Sequence, residues 1–335
     1  MYPAIINYYQ SQRLTLCYRE YLPAGPPVNT AVLIHGGGGL ETGANWSSTA
    51  LFLRNKGWRV LCLDLRGHGE SEWAFGSQYN ITEFLIDMHA LLNNPGVNLP
   101  EKFTLIGHSF GGILTLLTAS LYMDRIERVV AVDAILFPGI ADVEALMMNP
   151  QERRDRADEL FQWVKQMDDF VLRHHKFYDT IEEAKVRFMK SRDAMNSVHP
   201  SGSKIRKLSD DKCTAIVENG LKRCLDPSTG TTRYTWRHDP FVRANAFEAY
   251  HPPRFTVQEL LGIYKQIKAP LLLVLGQFSQ IGDISRANMD KVHEFLPTSI
   301  VVTLEGTGHW CYQDNEPAWL DALDSFINQN PPSRL

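Results

Sequence analysis

Cysteine is sparse and unpaired. The chain has five (Cys17, Cys62, Cys213, Cys224 and Cys311), an odd and scattered set with no C-x-x-C. That excludes a disulfide framework and a zinc ribbon, and it fits a reduced, intracellular protein. Long apolar runs are missing as well: nothing approaches the ~18 residues that span a bilayer. The opening MYPAIINYYQSQ lacks the charged and apolar parts of a secretion signal. Positive charge is not in surplus, since the net charge is −4. Nucleic acid is therefore excluded as the main partner, because phosphates need cations to neutralise them. No cluster has metal-ligand spacing. The run GGGGLETG at 36–43 lacks the G-K-[ST] of a phosphate loop and the context of a dinucleotide fingerprint. No cofactor and no metal are expected.

What remains is the composition of a soluble globular chain, 44% hydrophobic and 21% charged. Its 335 residues suffice for one large α/β domain with an insertion, or for two modest domains. The most informative stretch is Gly107-His108-Ser109-Phe110-Gly111-Gly112. It follows a short apolar run, Phe103 to Ile106, and opens an apolar helix-like run, Ile113 to Ala119. Strand, sharp turn and helix form the context that a G-x-S-x-G nucleophile elbow needs. Such a turn strains the serine backbone and projects its hydroxyl from the sheet edge. The glycines at 107 and 111 give the neighbouring strand and helix room to approach.

Apolar runs and helix-like runs alternate along the rest of the chain. Residues 4–9 and 14–18 resemble an edge hairpin, and Ala31 to Ile34 reads as a strand buried on both faces. A helix over 46–55, a strand over 59–63 and a helix over 81–92 follow. Beyond the elbow, Val129 to Val132 is a strand that ends at Asp133. From about 138 to 265 the chain turns polar and helical, without an apolar strand run. Loop signals mark 199–202 and 226–230. Strands return at 271–275 and 300–304, with helices expected over 286–296 and 318–327. This alternation predicts a mainly parallel sheet with right-handed crossovers. The insertion, 138–265, is expected to be a helical cap over the strand ends, between core segments 1–137 and 266–335. Such a cap should gate access.

Four motifs, HGGGG at 35–39, DLRGHGES at 64–71, GHSFGG at 107–112 and GTGHW at 306–310, occur in an order that resembles the α/β-hydrolase superfamily. The resemblance covers nearly the whole chain outside the insertion. Two further segments, Tyr234 to Pro240 and Ile267 to Pro270, are similar to the serine hydrolase-like (Kraken-type) branch. That branch implies a hydrolase without an assigned substrate. The superfamily implies an α/β fold with an eight-stranded, mostly parallel sheet and a nucleophile–acid–histidine triad. His309, in a late glycine-bearing loop, matches the base, and Ser109 matches the nucleophile. The commonest acid position, three residues past Gly276, holds Ser279, which carries no charge. Asp133 is the preferred acid because it ends the strand after the elbow helix, and Asp283 is the alternative.

The oxyanion donors are expected to be the N–H groups of Phe110 and Gly37, with Gly38 next. Trp46 and Gly38 are assigned to the substrate wall, with Phe110 beside them. His108 is read as packing beneath the elbow; His68, His174 and His175 are read as surface or cap residues. The leading expectation is a carboxylic ester hydrolase acting on a small or medium apolar ester, or a thioester, through an acyl-enzyme. Carbon–carbon bond hydrolysis or lyase chemistry on a polyketide-like substrate is the enzymatic alternative. A ligand-binding protein on the same scaffold is the non-enzymatic one. The partner is thus a small molecule. The chain is expected in the cytoplasm, or in the peroxisome of a eukaryote, since Ser333-Arg334-Leu335 varies the S-K-L address. Nothing in the sequence signals an oligomeric state.

Overall fold

The computed structural model of the chain describes residues 4–37, 40–75, 78–134, 176–197, 199–242, 257–287 and 289–328. Eight strands form one sheet: β1 (Ile5–Ser11), β2 (Leu14–Tyr21), β3 (Asn29–Ile34), β4 (Trp58–Asp64), β5 (Phe103–His108), β6 (Ile126–Val132), β9 (Leu271–Gly276) and β10 (Ser299–Leu304). Their spatial order is β1-β2-β4-β3-β5-β6-β9-β10. The first two junctions are antiparallel and all later ones parallel. The sheet is therefore eight-stranded and mostly parallel, as the family resemblance implied.

Continuous apolar strands follow from burial on both faces. In β3, Val32 and Ile34 enter one core cluster while Ala31 and Leu33 enter the other, all without exposed surface. Strand alternation forces this division. Helices α2 (Ile81–Leu92) and α3 (Phe110–Leu121) cover the first face through Phe84, Leu91, Leu114 and Leu117. Helices α1 (Ser47–Asn55) and α8 (Glu316–Ile327) cover the second through Leu53, Trp319 and Phe326. Each fully buried Leu or Phe contributes about 1.5–3 kcal/mol relative to an exposed one.

The described part of the insertion has an apolar cluster of its own, built on Phe188, Val217, Leu221 and Trp236. Helices α4 (Ile181–Asn196) and α5 (Asp210–Gly220) supply part of it. So does an antiparallel pair, β7 (Leu221–Asp226) and β8 (Thr231–Trp236). A purely helical cap was expected; the hairpin departs from that. Its turn is the loop signal at 226–230, and Gly230 takes a φ of 70° there. Helix α6 (Val257–Tyr264) places Leu261 and Tyr264 in the main core cluster. Residues 135–175 and 243–256 of the insertion, including His174 and His175, lie outside the described residues, as does the tail 329–335.

The insertion is bolted to the core beside the loop after β10. Arg192 of α4 reaches Asp314 Oδ1 at 2.5 Å and Gln313 Oε1 at 2.8 Å, and Asp314 Oδ2 accepts from Gly308 N at 2.9 Å. Both ends of this ion pair are almost entirely out of water. Removing one partner leaves the other charge buried and unpaired. Arg192→Met is therefore expected to cost about 3–5 kcal/mol, read as a clear fall in melting temperature. An unchanged melt would show that the pair does not hold the insertion down.

Candidate active site

Strand register brings the chemistry together. His108 of β5 pairs with Val132 of β6, and Val132 pairs with Val274 of β9. Ser109 and Asp133 thus leave adjacent strands at one level, at the carboxyl edge where open α/β sheets bind ligands. Ser109 turns the chain from β5 into α3 with φ 52° and ψ −120°, a region that side-chain-bearing residues rarely occupy. The turn is tight on both sides. A Cβ on Gly107 would strike the Gly111 carbonyl, and one on Gly111 would strike the His35 carbonyl.

Ser109 Oγ lies 3.0 Å from His309 Nε2, and His309 Nδ1 lies 2.7 Å from Asp133 Oδ2. All three side chains are buried, at 4%, 6% and 0% exposure. Asp133 also accepts from Gly276 N at 3.0 Å and from the Ser279 hydroxyl at 2.5 Å. An ionised carboxylate, acceptor only, satisfies all three donors. Ser279, at the position where an acid was first sought, instead anchors the aspartate of the neighbouring strand. Asp283 is elsewhere. It sits in the first turn of α7 (Gln280–Ala287). There it pairs with Arg286 at 2.5 Å and His199 at 3.0 Å, with its side chain 49% exposed.

Phe110 opens α3, so its N–H has no acceptor within the helix. Its ring is half-buried edge-on against Phe84, at 4.8 Å between centroids. Gly37 lies in the loop after β3 and is buried; Gly38 is outside the described residues. The preceding Gly36 N–H is already bound to Glu41 Oε2 at 2.8 Å. Trp46, assigned to the substrate wall, turns into the core instead. It has no exposed surface, stacks on Tyr312 at 4.3 Å and leans on Trp319 at 6.1 Å. Sequence identifies a large aromatic but not the direction it faces, and here it faces the core.

His68 is corrected likewise. It is fully buried, and burial first, then the neighbouring His35, pushes its imidazole down to about 3. His108 does lie beneath the elbow, and it has a partner the sequence reading missed, Glu41. Glu41 Oε2 is 3.2 Å from His108 Nδ1, and Glu41 Oε1 accepts from the Trp310 indole at 2.8 Å. An isolated acid inside a glycine-rich loop was the available signal. Among the described residues, no group of three or more His, Cys, Asp or Glu is arranged to hold a metal ion, and no helix is long and apolar enough to cross a membrane.

Comparison with known proteins agrees with this architecture. A family profile described as the alpha/beta hydrolase fold matches residues 30–316. The sn-1-specific diacylglycerol lipase ABHD11 of Mus musculus is 24% identical over 299 residues, 88% of this chain and 80% of its own. The 2-(acetamidomethylene)succinate hydrolase of Mesorhizobium japonicum is 21% identical over 269 residues, 80% of this chain and 78% of its own. Among solved structures, a thioesterase domain from the curacin biosynthetic pathway superposes with a TM-score of 0.73 at 21% identity. That match covers 97% of this chain and 99% of the domain.

Proposed function

The chain belongs to the alpha/beta hydrolase fold family, and from that premise we propose that it is a serine hydrolase cleaving a small or medium apolar carboxylic ester or thioester. The observation that carries this reading is the unbroken line Ser109 Oγ, His309 and Asp133, at 3.0 and 2.7 Å. Serine is a weak nucleophile until a base takes its proton. His309 Nδ1–H donates to Asp133, which leaves Nε2 free to accept the Ser109 proton.

Ser109 Oγ then attacks the carbonyl carbon and the C=O electrons move onto oxygen. The oxyanion is met by the N–H groups of Phe110 and Gly37. Collapse breaks the bond to the alcohol or thiol, which leaves with the proton from His309 Nε2. Water, deprotonated by the same nitrogen, clears the acyl-enzyme and restores Ser109. The step needs no cofactor. Relatives named for a lipase and for a thioesterase domain fit ester and thioester substrates. Fold alone does not choose the substrate.

A panel of p-nitrophenyl esters of increasing acyl length, run beside an acyl thioester and a ring-cleavage diketone, tests the proposal. Turnover of at least one ester or thioester, highest for short or medium acyl chains, is expected. Cleavage of the diketone with every ester and thioester inert would move the chemistry to carbon–carbon bonds.

A further inference from the structure

We propose that Glu41 is a positioning residue for hydrolysis, locking the loop that carries the Gly37 oxyanion donor to the loop that carries His309. The inference rests on the serine-hydrolase reading above. Glu41 reaches three segments far apart in sequence. It accepts from the N–H of Gly36, immediately before the oxyanion donor, at 2.8 Å. It meets His108, immediately before the nucleophile, at 3.2 Å. It accepts from the indole of Trp310, immediately after the base, at 2.8 Å. His108 extends the chain, because its Nε2 lies 2.9 Å from the backbone carbonyl of His309.

The partners fix the charges. Glu41 accepts from the Gly36 N–H and the Trp310 indole through its two oxygens, as a carboxylate does, and the His309 carbonyl can only accept. With Glu41 ionised, both His108 ring nitrogens donate, and the pair is a carboxylate and an imidazolium. Burial alone would lower the His108 value, but the Glu41 charge and hydrogen bonds outweigh it and raise it. Burial alone would raise Glu41, and the His108 cation with the Gly36 N–H outweighs that and lowers it.

A buried ion pair is a weak source of net stability, since desolvation offsets much of its attraction. What it provides here is geometry. Three groups that flank the reacting atoms, the Gly36 N–H, the Trp310 indole and the His309 carbonyl, are held to one carboxylate–imidazolium couple with 5% and 0% exposure. The site is built around that carboxylate. A Cβ on Gly36 would come within 2.8 Å of Glu41 Oε1 and 3.0 Å of Oε2. The couple also has an electrostatic consequence. The His108 ring is 4.7 Å from the His309 ring. Without Glu41, a cation there would oppose the positive charge that His309 acquires during catalysis, and a neutral His108 holds the His309 carbonyl only in its Nε2–H tautomer.

Glu41→Gln, which keeps the shape and removes the charge, tests the role. Wild-type protein, labelled at Ser109 by a fluorophosphonate and active on a p-nitrophenyl ester, is the reference. Per active site counted by titration, kcat should fall about 10–100-fold with KM nearly unchanged, and the labelling rate should fall with it. Trp310→Phe, which removes the indole bond and keeps an aromatic ring, should give a smaller loss of the same kind. Normal kcat per titrated site in Glu41→Gln, even with fewer sites, overturns the positioning role while the serine-hydrolase reading stands. If Glu41→Gln does not fold, normal kcat in Trp310→Phe overturns it instead. Wild-type protein inert to both probe and ester overturns the serine-hydrolase reading and this inference with it.

Discussion

Ser109→Ala protein is expected to melt like the wild type and to lose about 10⁴-fold or more in kcat/KM on its best ester. Stability is spared because the Ser109 hydroxyl bonds only to His309 Nε2 among the described residues. The strained backbone at φ 52° belongs to the turn and persists with alanine. Activity is not spared because the oxygen held against His309 Nε2, the one that attacks the substrate carbonyl, is gone. The residual rate reports what substrate positioning and the oxyanion donors achieve alone. Steady-state kinetics of the purified variant, beside its thermal melt, check both halves. A folded alanine variant that keeps more than a few per cent of the wild-type rate would sink the assignment.

The second large effect belongs to Asp133. Asp133→Asn should lower kcat by ~10³–10⁴ with little change in KM. Asparagine keeps one acceptor, which the Gly276 N–H and Ser279 hydroxyl compete for, and turns an N–H toward His309 Nδ1. His309 must then carry its proton on Nε2, the nitrogen that faces Ser109 and needs a lone pair. Asp283→Asn is the control, and a change within about twofold is expected. Asp283 is half exposed and spends its oxygens on Arg286 and His199. Measured together, the two variants separate the candidate acids, and a larger loss from Asp283→Asn would reverse the choice.

The inner strands β3, β5 and β9 were legible because each is a short apolar run buried on both faces, as Ala31 to Ile34 shows. The β7–β8 hairpin was not, because Lys222, Arg223, Cys224 and Leu225 all reach solvent and leave no such run. At Gln280 the polar start of α7 hid a helix. Ser109 was named by a local signature, since strand, turn and helix surround it in sequence. His309 and Asp133 were named by resemblance, and the distances among the three follow from strand register, which no local pattern carries. Glu41 shows the limit most clearly. Its partners lie at positions 36, 108 and 310, and only the folded sheet brings three loops to one carboxylate. Trp46 marks the same limit in reverse, a pocket residue by type and a core residue by direction.

The claim at the centre is covalent catalysis by Ser109, and intact mass spectrometry tests it most directly. Native protein treated briefly with a fluorophosphonate should gain one adduct. Peptide mapping should place it on Ser109, and heat-denatured protein should gain none. An unmodified protein, or an adduct on any other residue with Ser109 intact, would contradict the account.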